Sequence, residues 1–168
     1  ARRHRVGRKV RAGMTTVLVH PNYRACLYLW SVAQEELAAL DGRIYTEALP
    51  NEKVFPLAKL TELPGSEVVV GTNAVVRVTF QHDVWGGSPN AARTIAETWK
   101  ALLIGRLQGR VWETTAGAFA AGLVTATSPA STTDTRETQG VEGDDEVSRA
   151  RPRCRFTSQI VLRPRIGA

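Results

Sequence analysis

Apolar and polar residues alternate with two different periods along this chain. In the ranges 22–42 and 89–109, apolar residues recur at steps of three and four, which predicts two amphipathic helices. From 43 to 85 the period falls to two, and "NAVVRVTFQHDVW" is the clearest strand. The order strand, helix, strands, helix, strands predicts an α+β fold: a mostly antiparallel sheet with two amphipathic helices packed on one face.

Both predicted helices carry start and stop signals. Asn22 is the expected N-cap of the first helix and Gly42 its stop, while Ser88 caps the second and Gly109 ends it. The expected core-facing stripes are Cys26, Leu29, Trp30, Ala33, Leu37 and Leu40 in the first helix, and Ala92, Ile95, Ala96, Trp99, Leu102 and Leu103 in the second.

Prolines divide the region between the helices. We therefore expect "FPLAKLTEL" and "SEVVVGT" to be separate short strands, with "LPGS" as the turn between them. The segment "RVWETTAGAFAAGLVTATS" predicts one or two more strands, and the chain closes with the strand "RCRFTSQIVLRPR".

His82 and Asp83 are the pair that most suggests catalysis. They are neighbours on a predicted strand, so their side chains project to opposite faces of the sheet and cannot form a couple. His82 shares the apolar face, where a hydrogen-bonded core histidine is expected. The "GGSP" that follows Trp85 predicts a turn into the second helix.

Positive charge is concentrated at the N-terminus. The chain has 168 residues and a net charge of +6, and its first eleven residues carry six cations and no acid. These candidate partner contacts are Arg2, Arg3, Arg5, Arg8, Lys9 and Arg11. We expect a basic arm at 1–13, contacting phosphate or an acidic protein surface, or else simply solvated, before a single domain at 14–168.

A second charged segment is acidic. The range 129–147 is rich in Ser, Thr and Gly, which predicts a long mobile loop. Its candidate contacts are Asp134, Glu137, Glu142, Asp144, Asp145 and Glu146. Their spacing differs from that of a calcium-binding EF-hand loop, so no metal is expected there.

Motifs for catalysis and cofactor binding are missing from the sequence. There is no phosphate-binding loop, nucleophile elbow or metalloprotease helix, and the three histidines are scattered. Cys26 and Cys154 are expected to be free thiols. We expect neither an enzyme nor a cofactor. No apolar run is long enough for a membrane span or a signal peptide, which predicts a soluble protein kept in a cytoplasm.

Three passages together resemble the tail terminator proteins of long-tailed bacteriophages. They are "LYLWSVAQEELAALDGRIYTEALPNEKVFPLAKL", "VVRVTFQHDVWGGSPNAARTIAETWKALLIGRLQG" and "RCRFTSQIVLRPR". The resemblance rests on element order and on short signatures, including "Gly-x-Ile-Tyr" and a strand ending in "Val-Trp". It covers about residues 22 to 165 and includes neither the basic arm nor the length of the acidic loop.

The resemblance implies a structural role in the virion. Such proteins form a ring, typically of six copies, on the head-proximal end of the tail tube, where they stop polymerisation and join the head-completion or connector proteins. Trp85 would then be a packing or subunit-contact residue. The basic arm would contact a neighbouring protein, or DNA in the lumen of the ring.

Two other hypotheses about function remain open from the sequence alone. One is another neck component, such as a head–tail joining protein, since these share small α+β folds. The other is a nucleic-acid-binding protein that uses its basic arm. Against the second, the sequence outside the arm has 16 basic and 16 acidic residues and gives no sign of a basic face with exposed aromatics.

Overall fold

The computed structural model describes residues 22–69, 75–114, 117–134 and 151–165. The basic arm at 1–13 and the acidic loop beyond residue 134 lie outside these residues. The helices and strands are α1 (Tyr23–Val32), β1 (Ile44–Tyr45), β2 (Leu57–Val69), β3 (Val75–Trp85), α2 (Pro89–Leu102), β4 (Val111–Thr114), β5 (Gly117–Ala126), β6 (Ala130–Asp134) and β7 (Arg151–Pro164).

The strands form one seven-stranded sheet in the order β1-β2-β3-β7-β5-β4, with β6 pairing beside β5 on β7. Only β1 and β2 run parallel; every other pair of described strands is antiparallel. The predicted α+β fold is therefore confirmed. The last strand is central, because β7 pairs with β3 along one edge and with β5 and β6 along the other.

Both helices pack on the same face of the sheet, which we call the helix face. The ring of Trp99 in α2 lies 4.6 Å from His82 of β3, and Tyr23 in α1 lies 5.6 Å from Phe119 of β5. The core fills this layer, and Trp99 and Phe156 are buried at its centre. Burying the Phe156 side chain contributes about 1.5–3 kcal/mol.

The first helix is shorter and rotated relative to the prediction. It ends at Val32, and a 3-10 helix follows at Glu35–Leu40 before Asp41 and Gly42 turn the chain. Leu29, expected in the core, is 64% exposed, whereas Tyr23, Leu27 and Ser31 are buried. Ser31 points inward because its hydroxyl accepts a hydrogen bond from the indole N–H of Trp99 at 3.1 Å.

The second helix follows the prediction more closely. Asn22 caps α1 and Ser88 caps α2, each accepting a backbone N–H, as expected. The α2 stripe is buried at Ala92, Ala96, Trp99 and Leu102, and Ile95 packs against it. A π-helical turn at Leu103–Leu107 then leads to Gly109, whose φ of 79° ends the element.

Two predicted strand boundaries were also wrong. The segment "LPGS" does not divide two strands: β2 runs through it, and the register against β3 shifts between Leu63 and Glu67, with Gly65 at a φ of 106°. A β-bulge accommodates the extra residues. The predicted loop 129–147 also begins with a strand, because residues 130–134 form β6 and pair with the first residues of β7.

Candidate functional site

The stretch "HDVWGGSP" is the joint between β3 and α2, as predicted. Gly86 lies so close to α2 that a Cβ there would come 2.6 Å from the backbone nitrogen of Ala92. Ser88 then caps α2 by accepting the N–H of Ala91 at 3.1 Å, and Pro89 occupies the first turn. The glycine thus allows a sharp turn from strand into helix with no side chain between them.

His82 and Asp83 project to opposite faces, as the strand period predicted. His82 is fully buried on the helix face, where its ring stacks on Phe156 at 4.3 Å and its Nε2 lies 2.8 Å from the Ser158 hydroxyl. Burial lowers the pKa of His82 from 6.5 to about 3. The imidazole is therefore neutral at pH 7, and its Nδ1 has no hydrogen-bond partner among the described residues.

Asp83 lies on the other side of the sheet, which we call the distal face. Its carboxylate is nearly buried, and its Oδ1 accepts a hydrogen bond from Arg155 Nε at 2.6 Å, with Arg153 Nε 3.7 Å away. The Gln81 amide donates to Oδ2 at 2.6 Å. The charge is thus stabilised by two guanidinium groups and an amide.

The distal face shows a charge pattern that the sequence analysis did not recognise. Although cations and acids balance outside the arm, Arg151, Arg153 and Arg155 follow one another on the same side of β7. Lys59 of β2 lies directly across from Asp83. The signal was the Arg-x-Arg-x-Arg alternation, but only the register with β3 shows which face it occupies.

Trp85 is the one predicted contact residue whose side chain is described. It ends β3 on the distal face and is only 4% exposed, with the Arg153 guanidinium 5.9 Å from its ring centre. Its position agrees with a packing role; contact with another subunit stays a prediction. Asp134 is the last residue of β6, paired in register with Arg151. The other predicted contacts, in the arm and the acidic loop, lie outside the described residues.

Neither a metal site nor a membrane helix is found in the described part of the chain. No group of three or more His, Cys, Asp or Glu side chains there is arranged to hold a metal ion. None of the described helices has the length and hydrophobicity to cross a bilayer. Both cysteines described, Cys26 and Cys154, are free thiols, and burial raises the pKa of each.

Comparison with known proteins gives only distant likenesses. No family model matches the chain, and no curated protein does. A chain from a structure described as "Virion of native gene transfer agent (GTA) particle" is 17% identical, with a TM-score of 0.47; the match covers 83% of this chain and 93% of that one. A second solved chain, without a functional description, is 16% identical with a TM-score of 0.43, over 87% and 92% respectively. Both scores are below 0.5, so neither likeness establishes a shared fold or role.

Proposed function

We propose that this protein is a structural component of a bacteriophage virion, and specifically a tail terminator. In this role, six copies form a ring that caps the head-proximal end of the tail tube, stops its polymerisation and joins it to the head-completion or connector proteins. The protein would be assembled in the host cytoplasm and reside in the neck of the virion. It would act by binding other proteins.

The observation that carries the proposal is the placement of the three passages that resemble tail terminators. The first ends in β2, the second runs from β3 through α2, and the third lies in β7. These three strands are consecutive neighbours in the sheet, and α2 packs on β3 and β7. The resembling passages thus form one continuous unit of the fold, which supports treating the resemblance as one of whole structure.

The edges of the sheet also suit a ring. β1 covers only Ala58 and Lys59 of β2, so the outer edge of β2 from Leu60 onward has no strand partner in the described part of the chain. The opposite end of the sheet is β4. Two unlike edges on one subunit permit head-to-tail contacts, which close into a ring and remove the free edges.

Growth of the tail tube in the presence of this protein provides the test. Purified tail-tube protein is allowed to polymerise, and light scattering follows the reaction with increasing amounts of the purified protein. We expect growth to stop at far fewer copies than there are tube subunits, because capping acts on tube ends only. An unchanged growth curve, with binding to the portal or connector instead, would reject the terminator in favour of another neck component.

A further inference from the structure

A cluster of cations lies at one end of the distal face. It consists of Lys59 on β2 and Arg151, Arg153 and Arg155 on β7, and we call it the arginine cluster. Lys59 and Arg155 lie on either side of Asp83 in the register of the three strands, while Arg153 and Arg151 continue along β7. Side chains two residues apart on a strand are about 7 Å apart. The cluster is therefore a row of guanidinium groups with a lysine beside it.

The positive charge of the cluster exceeds the negative charge within it. Asp83 is its only carboxylate with a described side chain, and it interacts with Arg153 and Arg155 together. Lys59 and Arg151 make no ion pair with any other described residue. Asp134 lies opposite Arg151 in the β6–β7 register. Four cations against these two acids leave a net positive surface, and such a surface attracts polyanions.

The contacts of Arg155 fix its side chain and leave hydrogen-bond donors available. Its bond to Asp83 uses Nε, which leaves the two Nη groups to donate elsewhere. The Arg155 side chain is 41% exposed, whereas that of Asp83 is 4% exposed, so the carboxylate anchors the arginine from beneath. Arg153 is also fixed, because its Nε donates to the Thr132 hydroxyl at 3.1 Å. Guanidinium groups held in place lose less conformational entropy on binding.

Beyond Arg155, polar side chains continue the distal face, whereas the rings of Phe55 and Trp85 lie beside Arg151 and Arg153. Thr157 and Gln159 continue the distal face along β7, and Thr127 hydrogen-bonds to Thr157. No large exposed apolar side chain lies on the described residues of β3 or β7, although exposed Val54 precedes Phe55. Arg, Lys, Thr and Gln are side chains that donate hydrogen bonds to phosphate oxygens.

We propose that the arginine cluster binds the phosphate backbone of nucleic acid without reading its sequence. The spacing of the arginines along β7 is comparable to that of successive phosphates in a backbone, and each guanidinium donates to phosphate oxygens. This site is independent of the N-terminal arm, and it does not depend on the tail-terminator assignment. The site is a positively charged surface on the folded domain, which the balanced charge total outside the arm did not indicate.

The test is the salt dependence of binding to a labelled 20-base-pair duplex DNA, measured by fluorescence anisotropy with the full chain. The variant is Arg151→Gln with Arg155→Gln. The control is Arg93→Gln with Arg110→Gln, which removes the same charge from exposed sites on α2 and before β4. Both proteins keep the arm, so its contribution cancels. Each phosphate contact contributes about 0.9 to the slope of log K against log salt.

We expect the slope of the cluster variant to fall by about 2 relative to the control, with affinity at low salt falling at least about tenfold. Equal slopes would overturn the proposal. Poly-glutamate is the competitor: if it displaces the duplex as well as unlabelled DNA does at equal charge, the cluster is a surface for acidic protein and the proposal fails.

A second, single variant keeps the test decisive if the double variant does not fold. Arg151→Gln alone removes a residue whose described side-chain contact is with the Phe55 ring, at 4.7 Å, and leaves the Asp83 pairs intact. Near-ultraviolet circular dichroism checks that the variant keeps its fold. We expect its slope to fall by about 1. A slope equal to that of the natural chain would contradict the site even if the double variant did not fold.

Discussion

Arg155 donates a hydrogen bond from Nε to Oδ1 of Asp83 at 2.6 Å, across 72 residues of sequence. The two residues are directly opposite each other in the β3–β7 register. This contact ties the middle of the chain to its last strand on the distal face. It also fixes one member of the arginine cluster.

We expect Asp83→Asn to lower the free energy of unfolding by about 1–3 kcal/mol, because Arg153 and Arg155 lose the charge that stabilises them. Urea denaturation measures the change, and Glu113→Gln, at an exposed position of β4, is the matched control. If both variants unfolded at the same urea concentration as the natural chain, the Asp83 contacts would be unimportant for stability.

Two adjacent glycines at the β3–α2 joint should differ sharply in how much stability is lost when each is replaced by alanine. Gly86→Ala places a Cβ 2.6 Å from the Ala92 nitrogen, so α2 must shift, and we expect a loss of at least about 2 kcal/mol. Gly87→Ala meets no atom within 4 Å and should change stability by less than about 0.5 kcal/mol. Thermal unfolding of the two variants provides the comparison. Equal losses would show that the close approach at Gly86 does not matter.

The local pattern predicted this joint because every signal in it is short-range. Ser88, Pro89 and the period-two strand before them are neighbours in sequence. The opposite projection of His82 and Asp83 likewise follows from their adjacent positions on one strand. The inward face of α1 was missed because Ser31 is buried by a contact with Trp99, which is 68 residues away. Helical spacing alone favoured Leu29 over a serine.

The arginine cluster was missed for a related reason. The alternation at Arg151, Arg153 and Arg155 is visible in the sequence, but its face depends on pairing with β3 and on Lys59 from β2. The net charge outside the arm does not indicate this arrangement, because acidic residues elsewhere in the chain balance the cations. Strand order and register are long-range properties that periodicity does not determine.

Acid should destabilise the fold through His82. Its pKa is about 3 in the folded protein and about 6.5 in the unfolded chain, so between these values the unfolded chain binds more protons. Stability is therefore lost as the pH falls below 6.5, at up to about 1.4 kcal/mol per pH unit from this one group. At pH values above 6.5 the group has no effect.

We expect His82→Phe to weaken this dependence between pH 6 and pH 5, a window above the usual titration range of carboxylates. Urea denaturation at several pH values gives the slope for each protein. The comparison is between slopes, so any change in packing that is independent of pH cancels. Parallel slopes would mean that His82 is not the group responsible.

In the proposed ring, the outer edge of β2 should be a contact between subunits. The N–H of Ala58 points outward, donating to the Arg43 carbonyl at 2.8 Å, so alternation directs the N–H of Glu62 to the same edge. Glu62→Pro removes this donor and leaves the pairing of β2 with β3 in place. We expect ring assembly to weaken by about tenfold or more, as read by light scattering against concentration.

Glu62→Ala is the control, because it removes the same side chain and keeps the N–H. Rings should form from it as from the natural chain. Circular dichroism establishes that both variants are folded. If Glu62→Pro assembled normally, this edge of β2 would not be part of the ring contact.

The measurement that tests the central claim most directly is negative-stain electron microscopy of preassembled tail tubes mixed with the purified protein. We predict a ring of density at one end of each tube, and no further growth at that end when tube protein is added. Tubes with bare ends that continue to lengthen at both, at protein concentrations in excess of tube ends, would contradict the tail-terminator function.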